Sequence, residues 1–214
     1  MAAIPSDFHA VNRAEEHIDL QAKEFLTCPP DVQPRTRILA VCGSTDSRGR
    51  AAPGRDGWFF SDFYLFYHLL APSHEFPNPD ISRQIWLTTE QPRNLVDKYT
   101  AHAHGYPAKE RRVVLDRDLL GDSEDGNRLR VVPRKAILDR FLSTLREQSR
   151  LAANEREPML VLVFSHGDED TYGISMGGTG SELAAPMLHV SHVHKAMVQK
   201  IGSNDFQGTK PLWQ

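Results

Sequence analysis

Pro158 to Gly167 reads P-M-L-V-L-V-F-S-H-G, and this stretch decides the fold. Met159 to Phe164 is a continuous apolar run, too short for a helix and bounded by Pro158 and Gly167. That is the pattern of a strand buried on both faces of a parallel sheet. Ser165-His166-Gly167 follows, so an imidazole stands where the strand leaves the sheet. Open α/β sheets gather their chemistry at the carboxyl ends of the strands. His166, followed by a glycine that lets backbone approach a ligand, is therefore a candidate general acid or base. The plainer alternative is a loop histidine hydrogen-bonded to backbone.

Upstream, Arg134 to Asn154 is predicted to be a helix that feeds this strand. Ile137, Leu138, Phe141, Leu142 and Leu145 form its apolar stripe, and Pro133 suits its first turn. Farther back, Arg37 to Gly43 (R-I-L-A-V-C-G) reads as the first core strand and Arg83 to Thr89 as the second. Between them Trp58 to Leu70 is a helix with apolar side chains on nearly every side, so it is expected to be buried. Pro92 to His102 reads as a short helix. Arg111 to Asp116 reads as a short strand at an edge or in an excursion, and Gly121 to Arg128 as a charged loop. Strand–helix–strand alternation implies right-handed crossovers and a mainly parallel sheet with helices on both faces.

Downstream, Tyr172 to Met176 reads as one arm of a hairpin with Gly177-Gly178 as its turn. Pro186 to Ile201 reads as a helix, and Lys210 to Trp213 as the start of another strand. Ser6 to Leu26 reads as an amphipathic helix that Pro29-Pro30 would stop. It precedes the first strand, so residues 1–34 are set apart as an accessory segment from a domain over 35–214.

Composition narrows the function. The 214 residues are 25% charged with a net charge of -3, which argues against a binder of nucleic acid or of a membrane surface, since either needs a basic face. No apolar run approaches the ~20 residues of a membrane span. Met1 to Asp7 shows neither the basic start nor the apolar core of a signal peptide, and a cytoplasmic protein is expected. The two cysteines, Cys28 and Cys42, form no disulfide framework or C-x-x-C motif. The ten histidines lack cysteines or carboxylates at ligand spacing, so no metal and no cofactor are expected.

Ser44 to Gly57 is a long loop leaving the same sheet edge as His166. Its Arg48, Arg50 and Arg55 suit a carboxylate through a guanidinium fork. The alternative is a solvated loop. Gly173-Ile-Ser175-Met-Gly177 matches G-x-S-x-G, which suggests a serine hydrolase with Ser175 as nucleophile. The surroundings oppose it, because that elbow needs a core strand running directly into the serine, and Asp168 to Tyr172 cannot be one.

V-L-V-F-S-H-G-D-E-D-T-Y-G resembles the histidine segment of caspase-like cysteine peptidases: a buried strand, Ser-His-Gly, acidic residues and a hairpin. The likeness runs from about Arg35 onward. Arg55-x-Gly57 with Asp62 is similar to the family's Arg-x-Gly segment and its acid, the acid displaced by one position. Relatives are to be sought among caspase-like proteins, fungal ones included. The resemblance implies a three-layer α/β/α sandwich and hydrolysis of peptide bonds by a Cys-His dyad. His166 would be the acid/base, Gly167 an oxyanion donor, and Arg55 the contact for an acidic substrate side chain.

In that family the nucleophile ends the strand that begins Lys-Pro. Here Lys210-Pro211 is followed only by Leu212-Trp213-Gln214, so the fold is expected to be incomplete at the C-terminus and the chain inactive as a peptidase. Cys42, near the carboxyl end of the first strand, is expected to be a small buried side chain rather than a substitute thiol. The alternatives are a non-catalytic caspase-like binding module, forming homo- or heterodimers through an open sheet edge, or a gene fragment. The partner is a peptide or protein substrate if the site is active.

Overall fold

The structure, a computed structural model, describes residues 32–72, 78–105, 111–121, 128–178 and 186–198. The helix predicted over Ser6 to Leu26 and the strand predicted from Lys210 lie outside the described residues. The fold is that of the unit beginning at Gln33.

The elements run β1 (Arg37–Cys42), α1 (Gly57–Leu69), β2 (Gln84–Thr88), α2 (Pro92–Tyr99), β3 (His102–His104), β4 (Arg112–Leu115), β5 (Leu129–Val131), α3 (Ile137–Glu155), β6 (Met159–Phe164), β7 (Gly167–Asp168), β8 (Gly173–Ser175), β9 (Met187–Leu188) and α4 (Val190–Val198). The protein is mixed α/β. A four-stranded sheet in the order β5-β2-β1-β6 is parallel throughout. The β1–β6 register places Cys42 opposite Phe164, and Gly43 N–H carries the ladder one step on to the Phe164 carbonyl at 2.9 Å.

Side-chain alternation along β1 divides the core in two. Ile38, Ala40 and Cys42 pack with Phe59, Phe60, Phe63, Tyr64 and Tyr67 of α1 and with Trp86. Leu39 and Val41 pack on the opposite side with Ile137, Phe141 and Leu145 of α3 and Ala196 of α4. Phe60, Phe63, Phe141 and Trp86 are fully buried, and each such side chain contributes roughly 1.5–3 kcal/mol of transfer free energy. The β3–β4 hairpin closes over α1, with Val114 and Leu115 in its core and the His68 ring 2.8 Å from the Val114 carbonyl.

Several expectations need correction. β6 lies at the edge of the described sheet, and all six of its residues are half-buried rather than enclosed. An apolar run shows that both faces of a strand are covered; it carries no information about the edges. α2 stops at Tyr99, where Thr100 takes φ +68°, and the next residues form β3, which the pattern did not reveal. β5 is a three-residue strand, Leu-Arg-Val, too short to show a period. The arm expected over Tyr172 to Met176 is β8, which pairs antiparallel with β7, around Glu169 to Tyr172, as well as with β9; Gly177-Gly178 lie on the way from β8 to β9, and the β7–β8 turn was not foreseen. α1 is not buried all round, since Trp58, Phe66 and Leu69 stay exposed on one flank.

Candidate active site

The loop after β1 is braced, not free. Asp46 accepts hydrogen bonds from Lys98 Nζ (2.5 Å), Tyr99 Oη (2.5 Å) and Ala51 N–H (3.1 Å). Its own N–H donates to Glu90 Oε1 at 2.8 Å. His102, wholly buried, brings Nε2 within 2.8 Å of the Ala51 carbonyl, and burial lowers its pKa, which favours the neutral ring. The loop then delivers Asp56, whose N–H donates to the Arg50 carbonyl (2.9 Å) and whose carbonyl accepts from Phe59 N–H (3.1 Å).

Two residues past the end of β6, His166 meets that loop. Its Nε2 is 3.1 Å from Asp56 Oδ2, and its side chain is 28% exposed while that of Asp56 is 12% exposed. The approach is oblique, short of a straight hydrogen bond, and among the described residues the buried Nε2 has no other hydrogen-bonding partner. The same Oδ2 is 2.5 Å from Arg50 Nε. Burial raises the Asp56 pKa, but the Arg50 hydrogen bond and the His166 contact outweigh it and hold the carboxyl below its ordinary value. Phe59 presents its ring to the imidazole at 4.6 Å between centroids and Trp58 at 6.3 Å, both edge to face.

The β7–β8 hairpin fixes the backbone on the other side. Ser175 N–H donates to the His166 carbonyl at 2.8 Å, and Ser165 Oγ donates to the Ser175 carbonyl. Gly177 N–H reaches back to the Gly43 carbonyl at 2.8 Å. Gly167 is exposed, and a Cβ added to it would meet nothing within 4 Å.

His166 and Gly167 thus share one end of the sheet, as the sequence suggested. Arg55 is exposed, its Nη1 3.4 Å from the Arg48 carbonyl, and the arginine that reaches the imidazole's partner is Arg50. Cys42 is completely buried in the α1 core, and burial pushes its thiol up to about 12. A neutral thiol of that kind is neither a nucleophile nor a metal ligand. Ser175 is 4% exposed on a short antiparallel strand, preceded by a turn and followed by bends, so it does not stand on an elbow between core strand and helix. Asp62 pairs with His104 at 2.8 Å beside a cavity of about 400 Å³, and not with His166.

The sequence named Arg50 as a carboxylate partner without naming the carboxylate, and it gave no sign of Asp56 or of the place of Phe59 and Trp58 beside His166. Asp56 lies between Arg55 and Gly57, both singled out, and a carboxylate directly before a helix at the carboxyl edge of the sheet was the available signal. Among the described residues no group of three His, Cys, Asp or Glu is placed to hold a metal ion, and no helix is long and apolar enough to cross a membrane. Comparison with known families, with curated proteins and with solved structures finds no significant match to this chain.

Proposed function

We propose that the chain carries the histidine half of a caspase-like cysteine endopeptidase site, in a three-layer α/β/α fold of that class. The observation that supports this reading is His166 at the carboxyl end of β6, paired with Asp56 and flanked by the open Gly167. In such a site the imidazole takes a proton from a thiol and returns it to the leaving amine, while a backbone N–H at Gly167 meets the oxyanion. The exposed Arg55 is assigned to an acidic side chain of the peptide.

Neither Cys42 nor Ser175 offers His166 an accessible nucleophile. The expected result is therefore no cleavage of a fluorogenic peptide library by the 214-residue chain. Cleavage abolished by His166→Ala would show that the site is complete and overturn the inactive half of the proposal. Titration with the same library, followed by NMR, is expected to shift His166 and Gly167. If no peptide moves either signal, the substrate-site reading fails.

A second reading is a binding module that captures a β-strand along β6. The supporting observation is that β6 has only β1 as a described neighbour, with six half-buried apolar residues beside the exposed Phe66, whose ring lies 5.7 Å from that of Phe164. An edge that the described residues leave unpaired suits strand addition by a second copy or another chain. Concentration-dependent protection of alternate β6 amides from hydrogen exchange would support it; exchange that is independent of concentration and of added partner would count against it.

A further inference from the structure

We propose that Asp56 is the positioning residue for His166 and that Arg50 holds Asp56 in that role, leaving Nδ1 as the ring nitrogen that exchanges protons. The inference rests on reading His166 as an acid/base for its use, but not for its geometry. A neutral imidazole carries one N–H, and a carboxylate only accepts. Nε2 is buried with Asp56 Oδ2 3.1 Å away, off the straight line of a hydrogen bond; a lone pair on Nε2 would face the carboxylate's negative charge, so the proton belongs on Nε2 and the lone pair on Nδ1.

Asp56 is well placed to impose that choice. Its carboxylate shares Oδ2 with Arg50 at 2.5 Å, and its backbone is fixed by the bonds to Arg50 and Phe59. The Phe59 ring, 4.6 Å from the imidazole, hinders a flip that would exchange the two nitrogens. The arrangement is that of an oriented base: a side chain for the proton, and a carboxylate that selects its tautomer. A purely structural Arg50–Asp56 clasp would brace the loop equally well, but it would have no reason to set the state of the imidazole.

The test reads that state directly. In the full 214-residue chain, long-range proton–nitrogen correlation on labelled histidine at a pH where the ring is neutral is expected to show His166 as Nε2–H, in about tenfold excess over the other tautomer. Asp56→Ala is expected to leave the two tautomers mixed. Asp56→Asn, whose amide oxygen still accepts, is expected to retain Nε2–H. A wild-type ring found as Nδ1–H or as an even mixture overturns the proposal, and so does an Asp56→Ala ring unchanged from wild type. If Asp56→Ala fails to fold, Arg50→Gln decides: loosening Asp56 is expected to shrink the Nε2–H excess, and an excess unchanged from wild type overturns the proposal. Peptide binding is read separately, so failure of the peptidase reading appears in the peptide titration and not here.

Discussion

A Cβ on Gly57 would stand 2.6 Å from the carbonyl oxygen of Ala52 and 2.7 Å from that of Ala51, so the first residue of α1 is pressed against the loop that delivers Asp56. Gly57 N–H also donates to the Ala52 carbonyl at 3.1 Å. The obstructing atoms are backbone, and the loop they belong to is fixed by Asp46 and His102. Gly57→Ala is therefore expected to cost about 1–3 kcal/mol, the usual range for overpacking. Urea unfolding measures the loss, and the His166 imidazole signals should shift because Asp56 is displaced with the loop. Unchanged stability and unchanged signals would show that the loop yields without strain.

Phe59 and Trp58 both touch His166, yet they differ in what they hold together. Phe59 is 4% exposed within the α1 core, whereas Trp58 is 50% exposed. Phe59→Ala is expected to cost about 3–5 kcal/mol, and Trp58→Ala about 1 kcal/mol or less. Both substitutions should alter the His166 ring signals, since each removes an aromatic edge from the imidazole. Equal losses in urea unfolding would mean that the indole is buried in solution.

Acid should unfold the protein through three carboxylates. Burial raises the pKa of each, and stronger partners reverse the effect: Lys98 and Tyr99 for Asp46, Arg50 and His166 for Asp56, Arg83 and Arg37 for Glu157. Glu157 Oε2 lies 2.8 Å from Arg37 Nε at the opposite end of the sheet from His166, with a side chain that is 1% exposed. A folded pKa below the unfolded one means that the unfolded state binds more protons in the interval between them. The stabilisation is therefore complete above the unfolded values, about 4, and is lost as pH falls through the folded ones. Urea midpoints measured from neutral pH downward should fall below about pH 4. Asp56→Asn should be less stable at neutral pH and show a shallower decline.

The parallel core was legible because its signals are local and redundant. Arg37 to Gly43, Arg83 to Thr89 and Met159 to Phe164 are short apolar runs closed by turn residues, and each became a strand within a residue or two. β3 and β5 were not legible. His-Ala-His and Leu-Arg-Val hold their places through pairing partners, β4 and β2, that lie outside any local window. The site divided in the same way. His166 was visible because a titratable side chain ending an apolar strand is conspicuous. Asp56 was not, because its meaning comes from two contacts, one six residues away and one across the fold. Arg55 was favoured over Arg48 and Arg50 by its Arg-x-Gly setting, whereas the loop arginine that turns inward to a carboxylate is Arg50.

Cys42 gives the last test, and it bears on the proposed function. The thiol is fully buried beside the aromatic core of α1, and burial pushes its pKa to about 12 from an ordinary value near 9.0. The thiolate is the reactive form, so at pH 8 almost none is present, and no reagent reaches it without opening the core. With Cys28 replaced by serine, the native chain is expected to react with a chromogenic disulfide reagent only as fast as it unfolds, and stoichiometrically in denaturant. The linkage has the opposite sign to that of the carboxylates. Above about pH 9 the unfolded thiol loses its proton while the folded one keeps it, so stability falls as pH rises toward the folded value. Rapid native labelling at neutral pH would make Cys42 an accessible thiolate at the carboxyl edge of β1, and His166 would then have a sulfur partner within this chain.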